Sequence, residues 1–270
     1  LLTHISITQS GSVADKIAEQ FKKESKPADP LLPAGVTVKP GFEKGVGPDI
    51  GSAQMVQGEA LVVHKGQSVA YKLKKGSPIF AGDMLVTKER SRLNAKMNDK
   101  SVIGLAPVSK LVIDKSVYDP KKNERSSFLS LMWGRARFIV SKLTKSKPNY
   151  QIKTPTAVCG VRGTDFAIAV SPEGDQFAAF QKSFAPKVSL VSTAHAAGPV
   201  TVTVLVVGPN GTVSMGTAMG TVSVGELNAA FAALGVAPGA PVAMPLAQIM
   251  ATLNAVAPNL AALSMPPEFD

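Results

Sequence analysis

The sequence predicts a mainly β fold: a sandwich, roll or solenoid-like domain of short strands, with a β-hairpin and Ala-rich helices towards the C-terminus. Three observations point there. From Gly58 to Val140, short runs alternate apolar and polar residues and are separated by Gly, Pro, Asn and Asp, the pattern of half-buried strands. In residues 165–170, Phe166, Ile168 and Val170 alternate with Asp165, Ala167 and Ala169. Hydrophobic residues make up 45% of the chain but aromatics only 6%, so the core must be Val, Leu, Ile and Ala, and wholesale disorder is excluded.

The elements follow in order. Residues 1–9 alternate, with Leu1, Thr3, Ile5 and Ile7 on one side, as a β-strand at a free terminus would. Ser12 is placed to cap a helix over 13–24, with Ile17, Ala18 and Phe21 on one face. Residues 26–48 carry Pro27, Pro30, Pro33, Pro40 and Pro48 and read as a linker or extended strap rather than a packed element. Strands are expected near 59–64, 68–73, 83–87, 92–97, 101–105, 110–114, 127–133, 135–141, 149–154 and 165–170. Asn98 and Asp99 suit a tight turn and residues 120–125 a charged loop. Strict repeats are absent, which argues against a regular solenoid. Residues 200–207 form a β-prone run, 208–211 a turn, and 212–224 a second and third strand. Residues 226–234 and 246–256 read as Ala-rich helices, with Leu227, Phe231 and Leu234 on one face and Ile249, Leu253 and Val256 on the other helix's face. The division expected is 1–50 (strand, helix, strap), 51–172 (β domain) and 173–270 (β/α region).

The segment TPTAVCGVRGTDF (154–166) holds the most specific chemistry of the backbone. Pro155 lacks a donor and restricts Thr154 to extended geometry. Gly160 and Gly163 bracket Val161 and Arg162, allowing a bend or bulge without a Cβ penalty. Ahead of it come GEALVVHKG (58–66), GDMLVT (82–87), SRLNAKMNDKSVIGLAPVSKLVI (91–113) and FLSLMWGRARFIV (128–140). This ordered set resembles the FecR family of periplasmic and extracytoplasmic β domains, over roughly residues 56–172. The resemblance makes Thr154, Pro155, Gly160, Val161, Arg162, Gly163, Thr164 and Phe166 a structural turn of the family motif. Family members usually continue with one or two strands after this motif, whereas here the polar run 171–175 intervenes. The C-terminal extension is not part of the resemblance.

Composition excludes several function classes. The net charge is +10, with twenty Lys and Arg against six Asp and Glu over residues 61–153. Residues 188–267, by contrast, contain one charged residue, Glu226, far below the roughly 25% of an average domain. A surface so poor in charge tends to associate unless something covers it. His4, His64 and His195 are scattered, with no ligand spacing for a metal. No nucleophile elbow, P-loop or dinucleotide fingerprint is present, and no cofactor is implied. Asp83, Asp99, Asp114 and Asp165 are the candidate carboxylates for a hydrolase, but each stands beside Gly, Asn or Lys at a strand end, or at a turn. Arg162 is expected to pin its turn by reaching a local acceptor. Cys159 is the one cysteine and reads as a small buried hydrophobe. The excess lysines, Lys72, Lys74 and Lys75 among them, flank turns and deter sheet pairing. They suggest attraction to a polyanionic surface at most, with no specific nucleic acid recognition.

Two functional expectations result. One is a non-catalytic secreted scaffold that self-associates into a filament or other homo-oligomer, its N-terminal strand (Leu1, Thr3, Ile5, Ile7) completing a neighbour's sheet. The other follows from the resemblance. FecR relatives include transmembrane regulators whose periplasmic part receives a signal from an outer-membrane transporter and controls a sigma factor, which implies a periplasmic sensor and binding module for an outer-membrane partner. No run of about 18 uninterrupted apolar residues marks a membrane helix, and the chain begins at Leu1, so a processed, exported protein is expected, periplasmic or extracellular in a bacterium.

Overall fold

The computed structural model describes residues 31–142, 149–171 and 201–264. The candidate self-association strand, the helix over 13–24 and the polar run from residue 172 onward lie outside them. The chain is mainly β, with its strands, numbered in chain order, arranged in two facing sheets.

The first sheet starts at β1 (Thr37–Lys39), which lies parallel to β4 (Val69–Lys72). Next come β3 (Ala60–Val63), β6 (Met84–Thr87) and β9 (Ser109–Asp119), all antiparallel to their neighbours. The N-terminal part of β10 (Glu124–Ile139) follows, then β11 (Asn149–Lys153) parallel to it, β12 (Val158–Val161), β15 (Val213–Thr217) and β16 (Gly220–Val224). The second sheet is antiparallel throughout. Its order is β5 (Pro78–Phe80), β2 (Asp49–Gln57), β7 (Arg92–Met97), β8 (Val102–Leu105), the C-terminal part of β10, β13 (Asp165–Ser171), β14 (Val202–Val207), β17 (Asn228–Ala233) and β18 (Val242–Ala243).

β10 therefore belongs to both sheets. It pairs with β9 up to Trp133 and with β8 and β13 from Gly134 onward. The crossing needs glycine. Gly134 has φ +84°, and a side chain there would collide with the Val108 carbonyl and Ser109. The sequence reading of two strands, 127–133 and 135–141, is corrected to one continuous strand that bends and changes partners at Gly134.

One continuous core fills the space between the sheets. Inward residues such as Val62, Leu85, Leu111, Leu131 and Ile152 of the first sheet meet Leu93, Ile103, Phe138, Phe166 and Leu205 of the second. The same cluster continues through Val213, Met215 and Ala232, so the C-terminal strands extend both layers. Phe138 stacks on Phe166 across the β10–β13 pair at 5.3 Å. Cys159 is fully buried here, and desolvation pushes its thiol up to about 12.

Each sheet also has a covered outer face. On the first, Leu31, Leu32 and Val36 pack over Leu61, Val63, Ala70 and Val86. The strap is thus a packed element, contrary to the linker reading, and Thr37–Lys39 adds it to the sheet. On the second, α1 (Leu246–Val256) lays Ile249, Leu253 and Val256 over Ala167, Ala169, Val204 and Val206. The short α2 (Leu260–Ser264) follows, with Leu260 over Val102. The helix expected over 226–234 is instead β17. Ala230 and Ala232 face the inter-sheet core while Ala229 and Ala233 lie under the helix. A segment buried on both faces loses the amphipathic advantage of a helix, and β14 supplies a ladder partner.

Candidate functional site

The family-motif segment is a stitched turn. The Thr154 N–H donates to the Ala157 carbonyl at 2.8 Å, and the Ala157 N–H donates to Thr154 Oγ1 at 2.9 Å, closing the β11–β12 hairpin around Pro155. Thr203 of β14 lies 2.7 Å from the Thr154 hydroxyl and 2.6 Å from that of Thr156. The Thr156 hydroxyl reaches the Ala232 carbonyl of β17 at 3.3 Å. The motif is thereby sewn to strands that lie beyond the resemblance. Gly160 sits within β12, where a Cβ would meet the Ser214 hydroxyl of β15, and only Gly163 uses a left-handed φ, +73°. Arg162 does not pin this turn. It is exposed and pairs with none of the described residues; it lines a shallow cleft with Lys142, Asn210, Gly211 and Glu226. The threonine hydroxyls, closer to the backbone, already meet the local acceptors.

The four candidate carboxylates are not brought together. Asp83 bonds His64 and the Phe80 N–H, and Asp99 pairs with the buried Arg125. Asp114 accepts from Ser130, and Asp165 holds Arg137 through two bonds of 2.9 and 2.7 Å. Each is consumed by structure, and among the described residues no group of His, Cys, Asp and Glu could hold a metal ion.

A groove of about 1130 Å³ lies on the first sheet's side of the β10 crossing. Its rim is built by turns. The β2–β3 turn brings Gly58 and Glu59, and the β6–β7 turn brings Lys88, Glu89, Arg90 and Ser91. Buried Ser91 ties them together, accepting from the Glu59 N–H at 2.8 Å and donating to the Glu89 carbonyl at 3.0 Å. Trp133, the single tryptophan, reaches the groove through a register shift between Leu131 and Trp133 in the β9–β10 ladder. Beside it stand the exposed Met132 and Val108. Val108 has φ +55° and Arg90 φ +53°. A β-branched residue in that region is strained, by on the order of 1–3 kcal/mol, and such strain gathers at functional sites. The Val108 N–H bond to the Lys88 carbonyl at 3.2 Å helps hold it there.

The groove is cationic. Lys72, Lys74, Lys88, Arg90 and Lys110 line it against Glu59 and Glu89, and Lys72 already lies 3.4 Å from Glu59. Lys74 does open a turn, its carbonyl accepting from the Ser77 N–H, and Lys72 and Lys74 also line the concave surface that Trp133 shares. No local pattern announces it, because its walls come from segments near 31, 59, 73, 90, 109 and 133, assembled by the sheet.

Residues 83–180 match the family model described as FecR protein. This stretch is a FecR-family domain. It supplies one wall of the groove, Lys88 to Ser91, together with Val108, Lys110, Met132 and Trp133. Two crystal structures of a "putative anti-sigma factor" from Parabacteroides distasonis are similar, at 11% identity and a TM-score of 0.35. The match covers 55% of this chain and 53% of theirs, so the chain spans about half of the neighbours' length. No curated protein matches. No described helix is long and apolar enough to cross a membrane.

Proposed function

We propose that this chain is a non-catalytic, extracytoplasmic binding module of the FecR signalling type, whose groove receives a protein segment from an outer-membrane partner. The observation that carries the reading is the coincidence of the family-matching stretch with the groove: its strained Val108 and Arg90, its indole and much of its positive charge all come from residues 83–180. An indole and a methionine provide an apolar anchor, and five cations around them favour an acidic segment. FecR proteins signal with outer-membrane partners, which supplies the partner class. With one tryptophan in the chain, the groove carries its own reporter. Titrating the periplasmic signalling segment of an outer-membrane transporter should shift Trp133 emission, and Lys72→Glu with Lys110→Glu should weaken binding at least tenfold. Saturable binding that ignores both substitutions, or no binding of any such segment, overturns the reading.

A self-associating scaffold is the second reading, and it is favoured by one open strand edge at the other end of the sandwich.

A further inference from the structure

Among the described residues four strands end the two sheets, and three of them are blunted. β1 spans three residues, ends in Lys39 and runs into Pro40. β5 begins with Pro78 and is equally short. β18 has two residues and follows Pro241. Short length, proline and lysine are the usual devices that stop edges from pairing. β16 has none of them. It runs five residues, Gly220–Val224, with neither charge nor proline, and among the described residues it ladders only with β15.

We propose that the free edge of β16 pairs with the same edge of a second copy, joining the two first sheets about a two-fold axis. The strand is self-complementary. Antiparallel pairing centred on Val222 sets it against Val222 of the second copy, and Thr221 against Ser223. Directly opposed residues share a face. Half-buried Val222 and buried Val224 line the core side, so the core face continues across the junction. The exposed Thr221 and Ser223 hydroxyls meet on the other face, where such pairs hydrogen-bond. The surroundings fit a like partner. Met219 at the hairpin tip and Val236 are 65% and 51% exposed, and the Thr217 hydroxyl holds the Val236 carbonyl at 3.0 Å, which places this residue beside the hairpin. Charge selects this end as well. A chain of net charge +10 repels its copy through its basic portion, whereas residues 188–267 carry Glu226 alone. An isologous contact of this kind closes at two subunits.

Sedimentation equilibrium on the full chain tests the interface. Wild type should reach the mass of two chains as concentration rises. Thr221→Lys with Ser223→Lys alters only exposed side chains and should return the mass of one chain with an unchanged circular dichroism spectrum. Val222→Cys reads the register directly: Cys159 is buried and inaccessible, so mild oxidation should give a covalent dimer through the new thiol. A monomer at every concentration overturns the proposal, as does a dimer that survives the double lysine variant. Loss of the dimer on removal of residues 1–9 also overturns it, since association would then belong to the N-terminal segment.

Discussion

The two outer faces are covered by different elements gripped in the same manner. Beyond the part that covers the first sheet, the strap runs on to Phe42 and Glu43 at the edge of the inter-sheet core, where His64 Nε2 lies 2.8 Å from the Glu43 carbonyl. Over the second, α1 is held by Arg92 and Arg137, which donate to the carbonyls of Ala255, Val256 and Ala257. α1 has no basic residue in its own last turn, so the cations that satisfy its terminal carbonyls come from the sheet beneath. In both places a cationic or imidazole side chain rooted in a strand or its end reaches main-chain oxygen on the cover. The difference is chemical. A guanidinium keeps its protons at every physiological pH, while an imidazole grip depends on proton inventory.

That inventory follows from geometry. The Glu43 carbonyl can only accept, so His64 Nε2 carries a hydrogen. His64 Nδ1 lies 2.7 Å from Asp83 Oδ1, a distance that requires one more proton between them. The pair is buried among Phe42, Tyr71 and Phe80. Burial raises the Asp83 pKa above its ordinary value, against the lowering influence of His64 and the Phe80 N–H. In the helix grip the group that reaches the cover is the Arg137 guanidinium, 1% exposed and bound bidentately by Asp165.

Three experiments sharpen or break this contrast. The largest effect belongs to Arg137→Ala, which strands Asp165 and frees the Ala257 carbonyl; about 3 kcal/mol of stability should be lost in urea denaturation. A loss below 1 kcal/mol would mean that apolar packing of Ile249 and Leu253 alone secures the helix. Next, Asp83→Ala should cost about 2 kcal/mol, because His64 Nδ1 and the Phe80 N–H lose their partner. Asp83→Asn should cost less than about 1 kcal/mol, since its amide can donate to Nδ1 while its oxygen accepts from Phe80. In the wild type, folded Asp83 holds its proton more tightly than the unfolded chain does. Stability therefore falls as pH rises from the ordinary 3.8 through the raised folded value. The asparagine variant should lack that contribution, and an unchanged pH profile would remove Asp83 from the account. The smallest effect is expected from Arg92→Ala, about 1 kcal/mol, read as faster amide exchange near the C-terminal end of α1 with no change in the strap.

Much of the β domain is legible in local pattern. The alternation of Phe166, Ile168 and Val170 places them in the core as expected, and 212–224 does form a hairpin. What escapes is set by partners distant in sequence. Residues 228–233 are helix formers by propensity, yet they are buried on both faces by layers that no local window contains. Asp165 looks like a turn residue until Arg137 is brought against it. Asp83 does serve its turn, through the Phe80 N–H, but its second oxygen is claimed by His64, nineteen residues upstream. The strap's Pro content hid the fact that Leu31 and Leu32 have apolar surface waiting for them. The groove was illegible for the same reason, since six separated segments meet only after the sheets close.

The bent strand β10 leaves the molecule without a seam. Each layer keeps its middle rung on a length of backbone that the other layer also owns, so peeling one away tears the other at its centre. A break in either half of that strand is felt on both sides of the sandwich, and Gly134 is the joint at which this strand folds from one layer into the other.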